Sequence, residues 1–118
     1  MIYIGNLAQP VPTIGYKQTA FDAIEQLVFL SQDHAFFKNE EKIIGVICLK
    51  NLLENYDSGD ISEKSVAEFT APLFPLNEYE KISKVKELMK ENSIGHIAVT
   101  NQTGSFVGIL SECQFEIE

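Results

Sequence analysis

The stretch VAEFTAP, residues 66–72, repeats in outline the stretch IGNLAQP, residues 4–10. Matched positions lie 62 residues apart, and both stretches place apolar residues first and fourth and proline last. Seven residues alone do not establish a duplication, so the elements that follow each stretch must match as well. These following elements do match, and the repeat covers nearly the whole chain.

Each of these two proline-ended stretches, called the first and second lead below, is followed by a predicted amphipathic helix. Helical spacing of apolar residues predicts one helix over 20–30, begun by a capping box of Thr19 and Asp22, and a second over 81–91. The predicted apolar stripes are Phe21, Ile24, Leu27 and Val28 in the first helix and Ile82, Val85, Leu88 and Met89 in the second. The second stripe lies at an offset of 61 from the first.

A predicted β-hairpin follows each helix. Apolar runs begin at His34 and His96, meet turns that open with asparagine, and continue into IIGVICL from residue 43 and FVGILSE from residue 106. The offsets of 62 and 63 predict a turn one residue longer in the second half. The unbroken apolar runs of the second strands predict burial on both faces.

Gly45 and Gly108 interrupt these second strands at the same place. Glycine inside a buried strand marks a bulge, a bend, or a close approach by a ligand or another backbone, and a helix packed on the glycine is the simpler alternative. The first half then continues into a helix over 49–54.

The repeat divides the chain into a first motif of residues 1–56, a linker of residues 57–64 and a second motif of residues 65–118. The second motif stops where the helix that matches 49–54 has barely begun. We therefore expect either a piece of a longer protein or a reduced last element.

The amino-acid composition argues against several classes of function. The chain has 118 residues and a net charge of −8, and its nine basic residues are all lysine. This argues against a nucleic-acid groove, which needs concentrated positive charge, and against any bidentate guanidinium grip on phosphate. Cys48 and Cys113 lack metal or redox spacing, and no signal peptide or membrane-spanning run is present, so a cytoplasmic location is expected.

The order strand, helix, strand, strand, helix, introduced twice by a proline-ended lead, resembles the cystathionine-β-synthase-like (CBS) domain. IGNLAQP with VAEFTAP, KVKELMKENSIGHIAV and NQTGSFVGILSE carry the resemblance. It implies an α/β fold: a tandem CBS pair, or Bateman module, of two pseudo-symmetric β-α-β-β-α motifs with facing small mixed sheets. It also implies a homodimer.

In that family the cleft between two motifs often binds AMP, ATP or S-adenosylmethionine through a Gly-x-x-Thr-x-x-Asp signature. This sequence departs from the signature, with cysteine or serine in place of threonine and an amide in place of aspartate. The residues that the resemblance assigns to ligand binding are Gly45, Cys48, Lys50 and Asn51 in the first half and Gly108, Ser111 and Gln114 in the second. Glu112 would repel a triphosphate, so the second pocket is the poorer anion site.

Several residues have two interpretations. His34 and His96 either face the cleft as ligand or pH-sensing groups or are ordinary polar residues at strand ends. Cys48 is either a reactive thiol at a helix start or an inert core cysteine. Phe36 and Phe37 either stack on adenine or belong to the core. No metal cluster and no pair of nucleophile and base is evident from spacing.

The resemblance therefore implies a regulatory module without catalytic activity and without a required cofactor. It would bind an adenosyl nucleotide such as AMP, ATP or S-adenosylmethionine and signal to a protein partner or an attached effector domain, with no direct contact to nucleic acid and no membrane insertion. The alternative is a ligand-free dimerisation or docking module, a fragment of a larger regulator, transporter or enzyme.

Overall fold

The structure, a computed structural model, describes residues 2–56 and 63–112. These residues form two compact units. Unit I comprises residues 11–73, and unit II combines residues up to 10 with those from 74 onward. The chain thus passes from one unit to the other just after each of the two proline-ended leads.

Unit I contains a four-stranded sheet with two helices. Its elements are β1 (Thr13–Gly15), α1 (Ala20–Phe29), β2 (His34–Asn39), β3 (Lys42–Cys48), α2 (Leu49–Glu54), a 3-10 turn (Val66–Phe69) and β4 (Thr70–Pro72). The strand order is β1-β2-β3-β4, parallel between β1 and β2 and antiparallel elsewhere. Its buried core comprises Ile14, Ala20, Ala23, Ile24, Leu27, Ala35, Phe37, Ile47, Leu52 and Val66.

Unit II repeats this plan with a three-stranded sheet. Its elements are a 3-10 turn (Ile4–Asn6), β5 (Pro75–Asn77), α3 (Ile82–Asn92), β6 (His96–Thr100) and β7 (Phe106–Ser111). The parallel β5–β6 pair and the antiparallel β6–β7 pair again make a mixed sheet. Its buried core comprises Ile4, Val85, Met89, Ile94, Ile97, Val99 and Leu110.

The leads pack in units built mainly from the other half of the chain. Ile4, from the first lead, lies in the core of unit II, and Val66, from the second, lies in the core of unit I; both are fully buried. Gln9 forms two backbone hydrogen bonds with Ile109 of β7. The bounds of the compact units therefore differ from those of the sequence motifs 1–56 and 65–118. The motif bounds describe the sequence repeat and stay a prediction.

The predicted first helix and its capping box are present. Asp22 N donates to Thr19 Oγ1 and Thr19 N donates to Asp22 Oδ2, both at 3.1 Å. The predicted apolar stripe is only half buried, because small Ala20 and Ala23 complete the narrow core-facing arc of α1. Phe21 and Val28 of the stripe are exposed instead.

Both second strands contain a bulge, which corrects the expectation that they are buried throughout. The register of the β2–β3 pair shifts between Phe37 and Lys38 of β2, so that Ile44 on β3 has no partner. The register of the β6–β7 pair shifts between Val99 and Thr100 of β6, so that Val107 on β7 has no partner. Ile44 and Val107 are exposed, whereas the three residues after each are buried. The extra residue at a bulge turns the strand locally and explains this exposure.

The predicted α/β class with two small mixed sheets is confirmed. The described ranges contain three α-helices, and the helix over 49–54 is present as α2. The predicted linker lies largely outside the described residues, as does the partner expected for α2 after Glu112. The facing arrangement of the sheets stays a prediction. In the described ranges, no helix combines the length and apolarity needed to cross a membrane.

Candidate functional site

The end of the first hairpin brings two predicted site residues together. The β2–β3 register places His34 directly opposite Cys48, where side chains of an antiparallel pair stand about 5 Å apart. Cys48 is also the N-cap of α2, and a backbone hydrogen bond of 2.9 Å joins Leu49 N to Asp33 O. We call this junction of the hairpin end and the start of α2 the corner of unit I. Both side chains are half-buried, so neither is sealed in the core.

The corner changes the acidity of the thiol. A hydrogen bond from the His34 side chain lowers the pKa of Cys48, burial opposes this, and backbone N–H groups of Asn51 and Lys50 together with the positive charge on His34 favour the thiolate. The net result is a pKa below the ordinary value for cysteine. This arrangement corrects the expectation that no nucleophile has a basic partner.

The two residues that follow on α2 have different environments. Lys50 is exposed, as a residue that attracts an anion should be. Asn51 is held by its neighbours, since its Nδ2 donates to Phe69 O at 3.3 Å and its Oδ1 accepts from Asn55 Nδ2 at 3.4 Å. Its side chain therefore ties α2 to the second lead.

Gly45 is close to another backbone. A Cβ at Gly45 would lie 3.0 Å from Ala71 O on β4, and Gly45 is paired with Pro72 of the same strand. Of the interpretations open for this glycine, the bulge at Ile44 and the approach of a neighbouring strand both hold. Its assignment to ligand binding stays a prediction.

The second hairpin builds a related corner with different chemistry. His96 lies directly opposite Ser111, and Glu112 N donates to Gly95 O at 2.9 Å, as Leu49 does to Asp33. Gly108 is crossed by the first lead, because a Cβ there would lie only 2.5 Å from Gln9 O. Gln114, the last predicted site residue, lies outside the described residues.

The charge at this second corner is unfavourable for anions. Glu112 is exposed, and its Oε1 lies 4.0 Å from where a Cβ on Gly95 would stand. The carboxylate thus occupies the corner beside His96. The basic residue at the corresponding stretch of the first half is Lys50, so the two corners differ in sign.

Sequence reasoning missed the contacts that hold the first corner together. The His34–Cys48 pair depends on the bulge at Ile44, because equal arms counted from the Asn39–Lys42 pair would set His34 opposite Ile47. The Asn51–Asn55 contact follows from i,i+4 spacing on a helix. The contact between Asn51 and the Phe69 carbonyl depends on where the second lead packs, which no local spacing indicates.

The structure bears on two earlier questions, namely whether the adjacent phenylalanines belong to the core and whether a metal-binding group is present. Phe36 and Phe37 are both buried, with 3% and 4% of their surfaces exposed, and Phe37 belongs to the core of unit I. Within residues 2–56 and 63–112, no group of three or more histidine, cysteine or acidic side chains is arranged to hold a metal ion.

Comparison with known proteins identifies the class. Residues 65–114 match the family model described as CBS domain. The predicted resemblance to the CBS domain is thereby confirmed over these residues. An uncharacterized protein of Methanocaldococcus jannaschii is 27% identical over 73 residues, which are 62% of this chain and 24% of that protein. The chain thus matches about a quarter of the length of that relative.

Solved structures extend the likeness to nearly the whole chain. A CBS domain protein from Pyrobaculum aerophilum complexed with AMP has a TM-score of 0.81 at 17% identity, covering 99% of this chain and 92% of that one. The CBS domain of a bacterial CNNM/CorC family Mg²⁺ transporter in complex with ATP has a TM-score of 0.79 at 19% identity, covering 98% and 85%. At these identities the comparison shows a shared CBS fold.

Proposed function

We propose that the chain is a Bateman module that binds an adenine nucleotide of the AMP or ATP class at the hairpin corner of unit I and relays its presence to a partner or an attached effector domain. The module has no catalytic step of its own in this proposal. The observation that carries it is the exposed Lys50 beside the first turn of α2, at the place where the family signature is expected.

Three features support the corner of unit I as the nucleotide site. Lys50 offers a positive charge, and the first turn of α2 offers N–H donors to an anion. His34 and Cys48 supply further polar atoms within the same corner. Two proteins of the same fold were solved with AMP or ATP, which supports the ligand class.

Unit II supports a weaker role in nucleotide binding. Its corner presents Glu112 at the position of Leu49, next to the position where unit I presents Lys50, so a phosphate would meet like charge. We expect the first corner to bind first and the second only at much higher nucleotide concentration, if Gln114 and Ser111 contribute as the signature suggests.

Thermal unfolding against a nucleotide panel tests the proposal. The panel contains AMP, ADP, ATP, S-adenosylmethionine, cyclic dinucleotides and NAD. A ligand at 100 times its dissociation constant adds roughly 2.7 kcal/mol of stability, which raises the melting temperature of a domain of this size by several degrees. A selective rise identifies the ligand, whereas a flat panel at millimolar concentration contradicts nucleotide binding.

A pair of lysine variants locates the site. Lys50→Gln should reduce the nucleotide-induced rise in melting temperature, because it removes the charge at the corner. Lys42→Gln is the matched control, since Lys42 is also exposed but begins β3, about 20 Å from its other end. Equal responses in both variants would place the nucleotide away from this corner.

A second candidate function, dimerisation or docking, is favoured by exposed apolar side chains on the helices of unit I. Phe29 is 87% exposed and Val28 is 60% exposed on α1, and Leu53 and Tyr56 are about half exposed on or just after α2. Helices α1 and α2 pack against each other, and exposed apolar residues that lie together are typical of an interaction surface. We propose that this surface, defined by these four residues, joins two copies of the chain.

The oligomeric state tests the second candidate. Sedimentation of the wild-type chain should give a dimer, and Val28→Glu should shift it to a monomer because a buried unpaired charge is costly. Tyr79→Glu is the control, since Tyr79 is 57% exposed but belongs to unit II. A monomeric wild-type chain at high protein concentration would rule out this surface as a dimer contact.

A further inference from the structure

We propose that Cys48 is a peroxide-sensitive thiol that His34 activates, so that a hydroperoxide converts it to a sulfenic acid. This proposal does not rest on nucleotide binding, although Cys48 lies at the corner proposed for the nucleotide. It rests on the geometry of the corner at the end of the β2–β3 hairpin, where the strand register sets the imidazole of His34 directly opposite the thiol of Cys48.

The first step concerns the pairing of the two side chains. Register alone places His34 opposite Cys48, because the strands pair continuously from Gly45 to Cys48 on β3. Directly opposed side chains lie on the same face of a sheet. The imidazole is therefore positioned to accept the thiol proton and to donate to the sulfur once that proton has left.

The second step concerns the stability of the thiolate. Cys48 is the N-cap of α2, but its side chain accepts no capping hydrogen bond from the helix. The hydrogen bond from His34 is therefore the main cause of the lowered pKa of Cys48, which persists despite partial burial. Low pKa together with partial exposure is what distinguishes reactive cysteines from inert core cysteines.

The chemistry balances with a hydroperoxide as the oxidant. The thiolate sulfur attacks the terminal oxygen of the hydroperoxide, an S–O bond forms and the O–O bond breaks. Sulfur loses two electrons, and the peroxide is reduced to water or an alcohol. The proton that His34 took from the thiol passes to the leaving oxygen, and Cys48 ends as a sulfenic acid.

The second half of the chain supplies an internal comparison. His96 and Ser111 hold the same register as His34 and Cys48, but an alcohol is not oxidised by peroxide under these conditions. At this repeated position, therefore, only unit I carries an oxidisable side chain.

Trapping with dimedone tests the proposal on the full chain. Cys113→Ser leaves Cys48 as the single thiol, and the protein is treated with hydrogen peroxide in the presence of dimedone and analysed by peptide mass spectrometry. We expect the adduct on Cys48. His34→Gln should slow its formation by about threefold or more, because the thiolate fraction falls.

His96→Gln is the matched control and should leave the rate unchanged. No adduct on Cys48, or an equal rate in His34→Gln, would overturn the proposal. Because His34→Gln could also perturb folding, the pH dependence of alkylation by iodoacetamide is measured on the chain with His34 intact. Its midpoint should be lower in the folded protein than in urea, and equal midpoints would overturn the proposal as well.

Discussion

Gly45 and Gly108 occupy the same position in the two halves, but the space beside them differs. A Cβ would lie 3.0 Å from Ala71 O at Gly45 and 2.5 Å from Gln9 O at Gly108. We therefore expect Gly108→Ala to lower the free energy of unfolding by about 2–4 kcal/mol and Gly45→Ala by about 1–2 kcal/mol, since backbone atoms must move.

Urea denaturation measures both effects. Gly15→Ala is the control, because no atom lies within 4 Å of the added methyl group. If Gly108→Ala proved as stable as Gly15→Ala, the first lead would not cross β7 as closely as described.

Asn51 is a predicted binding residue whose side chain also makes a structural contact. Asn51→Asp restores the acidic residue of the family signature and should tighten an adenosyl ligand. It also removes the donor to Phe69 O, so the free energy of unfolding should fall by about 1 kcal/mol. Calorimetry gives the affinity and urea denaturation gives the stability.

Asn92→Asp is the matched control, because Asn92 Nδ2 likewise donates to a backbone oxygen, that of Leu88, but in unit II. It should lose similar stability without a change in affinity. Unchanged nucleotide affinity in Asn51→Asp would move the ligand away from α2.

At the scale of single elements, the N-terminus of α1 offers a direct test. Thr19→Ala removes an acceptor for Asp22 N and should lower the free energy of unfolding by about 1 kcal/mol. Thr19→Ser keeps the oxygen and should remain within a few tenths of a kcal/mol of the wild type. Thermal or urea unfolding of the two variants measures the difference, and equal losses would mean that the cap contributes little.

At the C-terminus of α3 we expect a substitution that raises the free energy of unfolding. Ser93 ends the helix in the left-handed region with φ of 53°, where a side chain is strained and glycine is not. Ser93→Gly should therefore raise the free energy of unfolding by up to about 1 kcal/mol. Ser83→Gly, inside the same helix, should lower it by about 0.5–1 kcal/mol; a loss in both variants would contradict the cap geometry.

Elements with strong local signals could be predicted from the sequence, and elements set by distant packing could not. The capping box at Thr19 and the apolar runs from His34 and His96 identified helix and strands to within about two residues. The bulges at Ile44 and Val107 were one of several interpretations of the neighbouring glycines. The position of β4 against β3 was missed, because a short strand of Thr-Ala-Pro carries almost no pattern of its own.

The same distinction applies to the candidate site. Cys48, Lys50 and Asn51 were assigned from the family signature, and the structure places them at the N-cap and in the first turn of α2, while their role in binding stays a prediction. The pairing of His34 with Cys48 and the role of Asn51 were not found, since both depend on contacts between residues at least 14 positions apart.

At the scale of the whole molecule, each compact unit takes its lead from the other half of the chain. Ile4 and Val66 are both fully buried in such exchanged positions. A half of about 55 residues is marginal as an independent core. We therefore expect residues 1–56 alone to remain unfolded by circular dichroism, because unit I would lack Val66 and β4; a cooperative melt of this fragment would contradict the exchange.

The most direct test of the account is titration calorimetry of the full chain with AMP. The account predicts one molecule bound per chain at low concentration, and an affinity at least about tenfold weaker in Lys50→Glu but not in Lys42→Glu, since reversal of a contacting charge removes at least about 1.4 kcal/mol. Absence of binding at millimolar AMP, or equal affinity in the wild type and Lys50→Glu, would contradict it.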